Sequence, residues 1–102
     1  MADSTPAFVV VAEFQIKPGQ REAFLALAFE DARRSLADES GCHQFDVLAS
    51  TTDDTVMLHE VYSDRDAYET HRQMPHYAPF KQGSAPLLEH PPTVRFFAPA
   101  KS

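Results

Sequence analysis

Tryptophan is absent from this sequence of 102 residues, and cysteine and glycine are scarce, with one and three residues respectively. The single cysteine, Cys42, cannot form a disulfide within the chain, which is typical of a protein from a reducing compartment. The isolated glycines Gly19, Gly41 and Gly83 cannot form the glycine-rich loops that hold nucleotide phosphates. These shortages exclude a disulfide scaffold and the common nucleotide-binding loops.

Long apolar segments and clusters of basic residues are also missing. No stretch approaches the roughly 20 apolar residues that span a bilayer, and residues 1–7 lack the basic start and apolar core of a signal peptide. Nine basic side chains against fifteen acidic ones give a net charge of -6, which disfavours binding to nucleic-acid phosphates. The sequence therefore predicts a cytoplasmic protein with no membrane or nucleic-acid partner.

The hydrophobic pattern predicts one α+β domain over residues 1–102, with a core from about 8 to 98 and loose ends at 1–7 and 100–102. Alternating apolar residues predict strands at 8–17, 42–49, 55–62 and 93–98. Helical periodicity predicts a helix over 20–39 and a second helical region that starts near 63–66. The order β-α-β-β-α-β is the ferredoxin-like plan, an antiparallel sheet with two helices on one face.

Three local features refine this prediction. The long helix carries an apolar stripe, and its end at Gly41 can adopt a left-handed backbone. Short polar residues at 63–66 can cap the second helical region. Pro75 can occupy the first position of a further helical segment. The stripe of the long helix consists of Leu25, Ala28, Phe29, Ala32 and Leu36, widened by Phe24 and Leu27.

The uncovered face of the predicted sheet carries apolar residues of its own. Val9 and Val11 lie on the face of the first strand opposite its longer apolar row. Met57 and Val61 of the third strand lie on the face opposite Val56 and Leu58. An exposed apolar sheet face is typical of an interface, and it predicts a homodimer. Scattered apolar residues on a solvated sheet are the alternative.

Three segments resemble one known family. These are Gly41-Cys42-His43-Gln44-Phe45-Asp46-Val47-Leu48, the run from Glu60-Val61-Tyr62 through Ala67-Tyr68-Glu69-Thr70-His71, and Pro75-His76-Tyr77. Their order and spacing are similar to those of the antibiotic biosynthesis monooxygenase superfamily, and the likeness covers roughly residues 8–98. It implies a dimeric α+β barrel.

Two branches of that superfamily are most similar to this chain. One contains quinol monooxygenases and implies oxidation of a small electron-rich aromatic substrate by O2 without any cofactor. The other contains isomerases of phosphorylated autoinducer-2 and implies a small phosphorylated dihydroxy-ketone. The haem-degrading branch uses a tryptophan that this chain lacks. A dimer that binds a small ligand without catalysis is a third alternative, since a fold does not determine a function.

The candidate catalytic residues are His71, Glu60 and His76. Helical spacing from Ala67 and Tyr68 turns His71 inward, where an imidazole can exchange a proton near neutral pH. Glu60 lies among apolar neighbours, which raise a carboxyl pKa, and His76 follows Pro75 at a helix start. We expect Glu60 or His76 to orient His71, although structural roles remain open for all three.

The aromatic residues and cations supply the remaining candidates. We expect Tyr62, Tyr68, Tyr77 and Phe45 to bind the substrate, with packing in the core as the alternative for Tyr77 and Phe45. Arg72 and Lys81 are the cations that a phosphorylated substrate would need. The five histidines His43, His59, His71, His76 and His90 show no compact ligand spacing, so no metal site is predicted.

Overall fold

The computed structural model describes residues 6–100, and the predicted loose ends lie mostly outside them. None of the described helices is long and apolar enough to cross a membrane. The elements are β1 (Phe8–Gln15), α1 (Arg21–Asp38), β2 (Cys42–Ala49), β3 (Thr55–Tyr62), α2 (Arg65–His71), α3 (Tyr77–Ser84), a 3-10 turn at Ala85–Leu87 and β4 (Thr93–Phe97).

The four strands form one antiparallel sheet in the order β2-β3-β1-β4. In this register Val10 of β1 lies opposite Glu60 of β3 on one side and opposite Phe96 of β4 on the other. Alternate residues of β1 and β3 are buried and share a single core with Phe24 and Ala28 of α1. The predicted ferredoxin-like α+β fold is confirmed.

The ends of the elements correct two details of the prediction. Asp64 caps α2 as expected, because its carboxylate accepts the backbone N–H of Ala67 at 2.8 Å. Pro75, however, precedes α3, which begins at Tyr77 with His76 at its N-cap. Gly41 does not adopt a positive φ. A Cβ at residue 41 would lie 2.6 Å from the Ala67 Cβ, so its glycine permits close approach to α2.

The buried face of α1 is rotated from the predicted apolar stripe. Phe29 and Leu36, both assigned to that stripe, are 57% and 48% exposed. Asp31 and Ser35 are buried instead, together with Glu39 immediately after the helix. These three polar residues recur at intervals of four and therefore share one face of the helical segment. The face of α1 that meets the core is partly polar.

The sheet face opposite the helices is mixed, with apolar residues beside the polar residues Glu13, Asp46, His59 and Arg95. Val9, Val11, Met57 and Val61 lie there as predicted and are partly exposed. Leu48, paired with Met57, is 51% exposed, and Phe97, paired with Val9, is 48% exposed. We call this surface, which is centred on β1 and β3, the uncovered sheet face.

Candidate active site

A cavity of about 600 Å³ lies between the sheet and the segment from α2 to β4. Its wall is mostly apolar, and its polar groups come from both the sheet and the helices. A volume of this size is typical of small-ligand sites, which range over roughly 300–1,000 Å³. The polar side chains of the wall include Asp31, Glu60, Tyr68, His71, Tyr77 and Lys81.

His71 lines this cavity from the last turn of α2 and is 2% exposed. Its Nδ1 lies 2.9 Å from Oε2 of Glu39 and 3.4 Å from Oγ of Ser35. Nε2 of His76 lies 2.5 Å from the same Glu39 oxygen. One buried carboxylate oxygen therefore joins two imidazole rings that belong to different segments of the chain.

The tautomer of His71 follows from this arrangement. Since a carboxylate oxygen only accepts hydrogen bonds, the short contact favours a proton on Nδ1 and leaves Nε2 without one in the neutral ring. Burial lowers the pKa of His71, although the hydrogen bond to Glu39 acts in the opposite direction. The ring is thus held in the neutral form that can accept a proton.

Two carboxyl groups on the cavity wall have strongly raised pKa values. Burial, together with the negative charges of Glu60 and Glu39, raises the pKa of Asp31 to about 8. Burial raises the pKa of Glu60 to about 7, against the hydrogen bond that its Oε1 accepts from the Tyr62 hydroxyl at 2.5 Å. Near neutral pH the cavity therefore contains carboxylic acids able to donate protons.

Replacement of Glu60 by glutamine is expected to remove a pH-dependent loss of stability. Below pH 4.5 Glu60 is protonated in both the folded and the unfolded chain. As the pH rises towards 7, only the unfolded form ionises, so the wild type loses stability until the folded carboxyl also titrates. The free energy of unfolding of Glu60→Gln should exceed that of the wild type by on the order of 1–3 kcal/mol above pH 7.

Urea unfolding at several pH values measures this difference, which should shrink towards pH 4.5. Glu22→Gln, at an exposed position of α1, is the matched control and should show little change. A Glu60→Gln difference of the same size at every pH would contradict the raised pKa.

A family model described as "Antibiotic biosynthesis monooxygenase" matches residues 7–83, which include most of the chain and most of the cavity wall. This chain belongs to the antibiotic biosynthesis monooxygenase family. It is 33% identical over 95 residues to a Mycobacterium tuberculosis protein named "Putative monooxygenase Rv0793", and the match covers 93% of each chain.

Solved structures agree with this family membership. The structure of Rv0793 from Mycobacterium tuberculosis has a TM-score of 0.86 and 30% identity, with 94% of this chain and 97% of that one covered. A structure from Nitrosomonas europaea has a TM-score of 0.89 at 22% identity, and covers 97% of this chain and 95% of its own. The second likeness concerns the fold alone. Family membership supports oxidoreductase chemistry of the monooxygenase type.

The predicted aromatic residues of this family member divide into two groups. Tyr68 and Tyr77 line the cavity. Tyr62 and Phe45 are buried behind His71, with ring centroids 5.4 Å and 6.0 Å from its imidazole. These two residues therefore pack against His71 and do not line the cavity.

The partner of His71 differs from the sequence prediction. Glu60 or His76 was expected to orient its ring, but the ring bonds to Glu39, while Glu60 bonds to Tyr62. Sequence reasoning missed Asp31 and Glu39 because it based the inner face of α1 on its apolar stripe alone. The signal that could have identified them is the interval of four that relates Asp31, Ser35 and Glu39 to each other.

Of the two candidate cations, only one lies in the cavity. Lys81 lines the cavity, whereas Arg72 is exposed and pairs with Glu69 at 3.2 Å on the surface of α2. Burial raises the pKa of the Cys42 thiol to about 12, so this cysteine is not a reactive nucleophile.

Proposed function

We propose that this family member is a cofactor-independent monooxygenase that oxidises a small, uncharged, electron-rich aromatic substrate, such as a hydroquinone, with O2. One observation carries the proposal. A buried histidine, oriented by a buried carboxylate, lines an apolar cavity of about 600 Å³. Such a cavity accommodates an aromatic ring and places a base beside it.

In this mechanism His71 is the general base. Glu39 occupies Nδ1, so Nε2 is the nitrogen that takes the phenolic proton. The phenolate then transfers one electron to O2, which yields a semiquinone and superoxide. The two radicals recombine with formation of a C–O bond at a ring carbon.

The remaining steps return protons and release water. The new peroxide oxygen takes a proton from an acid of the cavity, and Asp31 and Glu60 are the candidate donors because their pKa values are raised. Loss of the ring C–H proton and cleavage of the O–O bond then expel water and leave a carbonyl. One oxygen atom enters the product, the other leaves as water, and the substrate supplies all four electrons.

The charges around the cavity favour this substrate over the phosphorylated one. Among residues 6–100 Lys81 is the one lysine or arginine on the cavity wall, and Asp31 and Glu60 face the same space. A phosphate needs several cationic or amide donors, and carboxyl groups repel it once they are ionised. Arg72, the other expected cation, lies outside the cavity and pairs with Glu69.

An experiment with two substrates separates the alternatives. The protein is incubated with a methyl-substituted hydroquinone under ¹⁸O2 and, separately, with a phosphorylated dihydroxy-ketone without oxygen. The proposal predicts one labelled oxygen in the quinone product and no conversion of the ketone. Anaerobic conversion of the ketone would establish the isomerase, and binding without conversion of either compound would establish a ligand-binding module.

We further propose that two copies associate through the uncovered sheet face. That face carries exposed apolar side chains, and a two-fold axis brings identical patches together, so the contact is self-complementary. Leu48 and Phe97 are large apolar side chains that are half exposed there. The cytoplasm remains the expected compartment because the chain carries a single free thiol.

Replacement of Phe97 by aspartate is expected to convert the dimer into a monomer, since it places two charges in the apolar contact. Light scattering after gel filtration measures the mass. Phe29→Asp is the matched control, because Phe29 is similarly exposed but lies on α1, and it should remain dimeric. A monomeric wild type, or a Phe97→Asp dimer, would contradict the proposed interface.

A further inference from the structure

A second cluster of polar groups joins two residues of the cavity wall, Asp31 and His71, to His76 beside the cavity. One carboxylate oxygen of Asp31 and one ring nitrogen each of His71 and His76 lie within 4.8 Å of one another. All three side chains are buried or nearly so. Two imidazoles and one carboxylate at this separation match a common donor set for first-row transition metals.

The chain brings these residues together by its tertiary structure. Asp31 comes from the middle of α1, His71 from the end of α2 and His76 from the N-cap of α3. The turn between α2 and α3 folds His76 back towards His71, and their ring centroids are 5.9 Å apart. Ligand spacing along the sequence cannot reveal such a set, which explains why no metal site was predicted.

The surroundings of Glu39 are a second, independent indication of a metal site. Its Oε2 contacts both imidazole rings, whereas its Oε1 is buried and has no hydrogen-bond partner among residues 6–100. A buried carboxylate oxygen without a partner is costly. Carboxylates that hold histidine ligands in place are typical of metal centres, and a cation beside Glu39 would offset the charge that is buried there.

An ion can reach this cluster from solvent. Asp31 lines the apolar cavity and also a groove on the outer side of α1 and α3. His76 faces the same groove, which carries the carboxyl groups of Glu30 and Asp38. These two carboxyl groups are paired with arginines, since Arg34 lies 3.2 Å from Glu30 and 3.9 Å from Asp38. The groove therefore offers a path for the ion rather than a charge that attracts it.

We propose that Asp31, His71 and His76 form a binding site for a divalent first-row transition-metal ion, with zinc as the ion that best fits this donor set. Glu39 keeps the two rings in place beside the ion. A bound ion occupies a nitrogen of His71 and removes the proposed base. Zinc is therefore an inhibitor of the oxidation, and this inhibitory role rests on the proposed function.

Metal binding is measured without any substrate, so its outcome is independent of turnover. Metal-stripped protein is titrated with Zn²⁺ in competition with a chromophoric chelator, and with Co²⁺, whose visible d–d absorption reports nitrogen and oxygen ligands. We expect one ion per chain with a dissociation constant in the micromolar range or tighter. Zinc should also raise the Tm of the wild type.

Variants locate the ion. Asp31→Asn and His76→Gln should each weaken binding by about 100-fold or more, because even outer residues of a metal centre contribute about 10- to 100-fold. His43→Gln, at an exposed histidine bonded to Ser63, is the matched control and should bind as the wild type does. Absence of binding by the wild type, or equal binding by Asp31→Asn, would overturn the proposal.

The effect of zinc on the oxidation is tested in a separate experiment. If the protein oxidises a hydroquinone, zinc at its measured dissociation constant should halve the rate of the wild type, with a much weaker effect on Asp31→Asn. Binding at the cluster with no effect on an active enzyme would overturn the inhibitory role alone. Binding by a protein that oxidises no substrate would overturn the proposed function while the metal site stands.

Discussion

Asparagine in place of His71 is expected to lower kcat for hydroquinone oxidation by about 10²- to 10⁴-fold, the usual contribution of a general base. Asparagine retains a group that can donate to Glu39 from the position of Nδ1, but it has no equivalent of Nε2. The substitution therefore removes the proton acceptor and keeps the hydrogen bond that is 2.9 Å long in the native chain. Steady-state kinetics on metal-free protein measures the change.

Controls separate catalysis from folding in this variant. Thermal unfolding and circular dichroism establish that His71→Asn is folded at the assay temperature. His43→Asn removes an exposed imidazole from β2 and should leave kcat unchanged. A folded His71→Asn variant with the kcat of the wild type would show that the base lies elsewhere in the cavity.

Glutamine in place of Glu39 is expected to lower kcat by about 10²-fold or more, as loss of the carboxylate does in other histidine dyads. The amide of glutamine can donate a hydrogen bond to Nδ1 of His71. The ring would then carry its proton on Nε2, facing the substrate as a donor rather than as an acceptor. KM should change far less than kcat, since Glu39 does not line the cavity.

A spectroscopic measurement tests this positioning role directly. The ¹⁵N chemical shifts of His71 should indicate a proton on Nδ1 in the wild type and on Nε2 in Glu39→Gln. Glu69→Gln removes a surface carboxylate that pairs with Arg72 and should alter neither the tautomer nor kcat. A tautomer change with no loss of kcat would contradict the role assigned to Glu39.

The fold was predictable because the elements that build it obey simple periodicities. β2 and β3 match the predicted strands residue for residue. Cys42 and Thr55 each follow a clear turn signal, and the residues after them show the apolar pattern of a strand. The N-cap at Asp64 was predictable for the same local reason. The order of the elements followed from the same patterns, and the family resemblance agreed with it.

The site was predictable only where its residues follow those rules. His71 lies on the inner side of a short helix, as its spacing from Ala67 indicates, and the structure buries it. Asp31 and Glu39 violate the rule that charged residues face solvent. Glu39 is buried because partners from α2 and α3 meet it, and no pattern within α1 specifies partners that lie 32 to 37 residues away.

The same limit explains the exposed apolar residues of α1. Phe29 and Leu36 satisfy helical periodicity, yet the helix is rotated so that Phe24, Ala28 and Ala32 meet the sheet. Small side chains at Ala28 and Ala32 allow α1 to lie close to the strands, and Asp31 beside them reaches the cavity. Packing and partner geometry, rather than hydrophobic content, determine which face is buried.

Oxygen consumption by metal-stripped wild-type protein, measured against a panel of uncharged hydroquinones with autoxidation subtracted, tests the proposed oxidation most directly. We predict uptake that saturates with substrate, persists in the presence of a chelator and consumes one O2 for each quinone product formed. Uptake that never exceeds autoxidation across the panel, or that appears only after a metal ion or flavin is added, would contradict the proposed function.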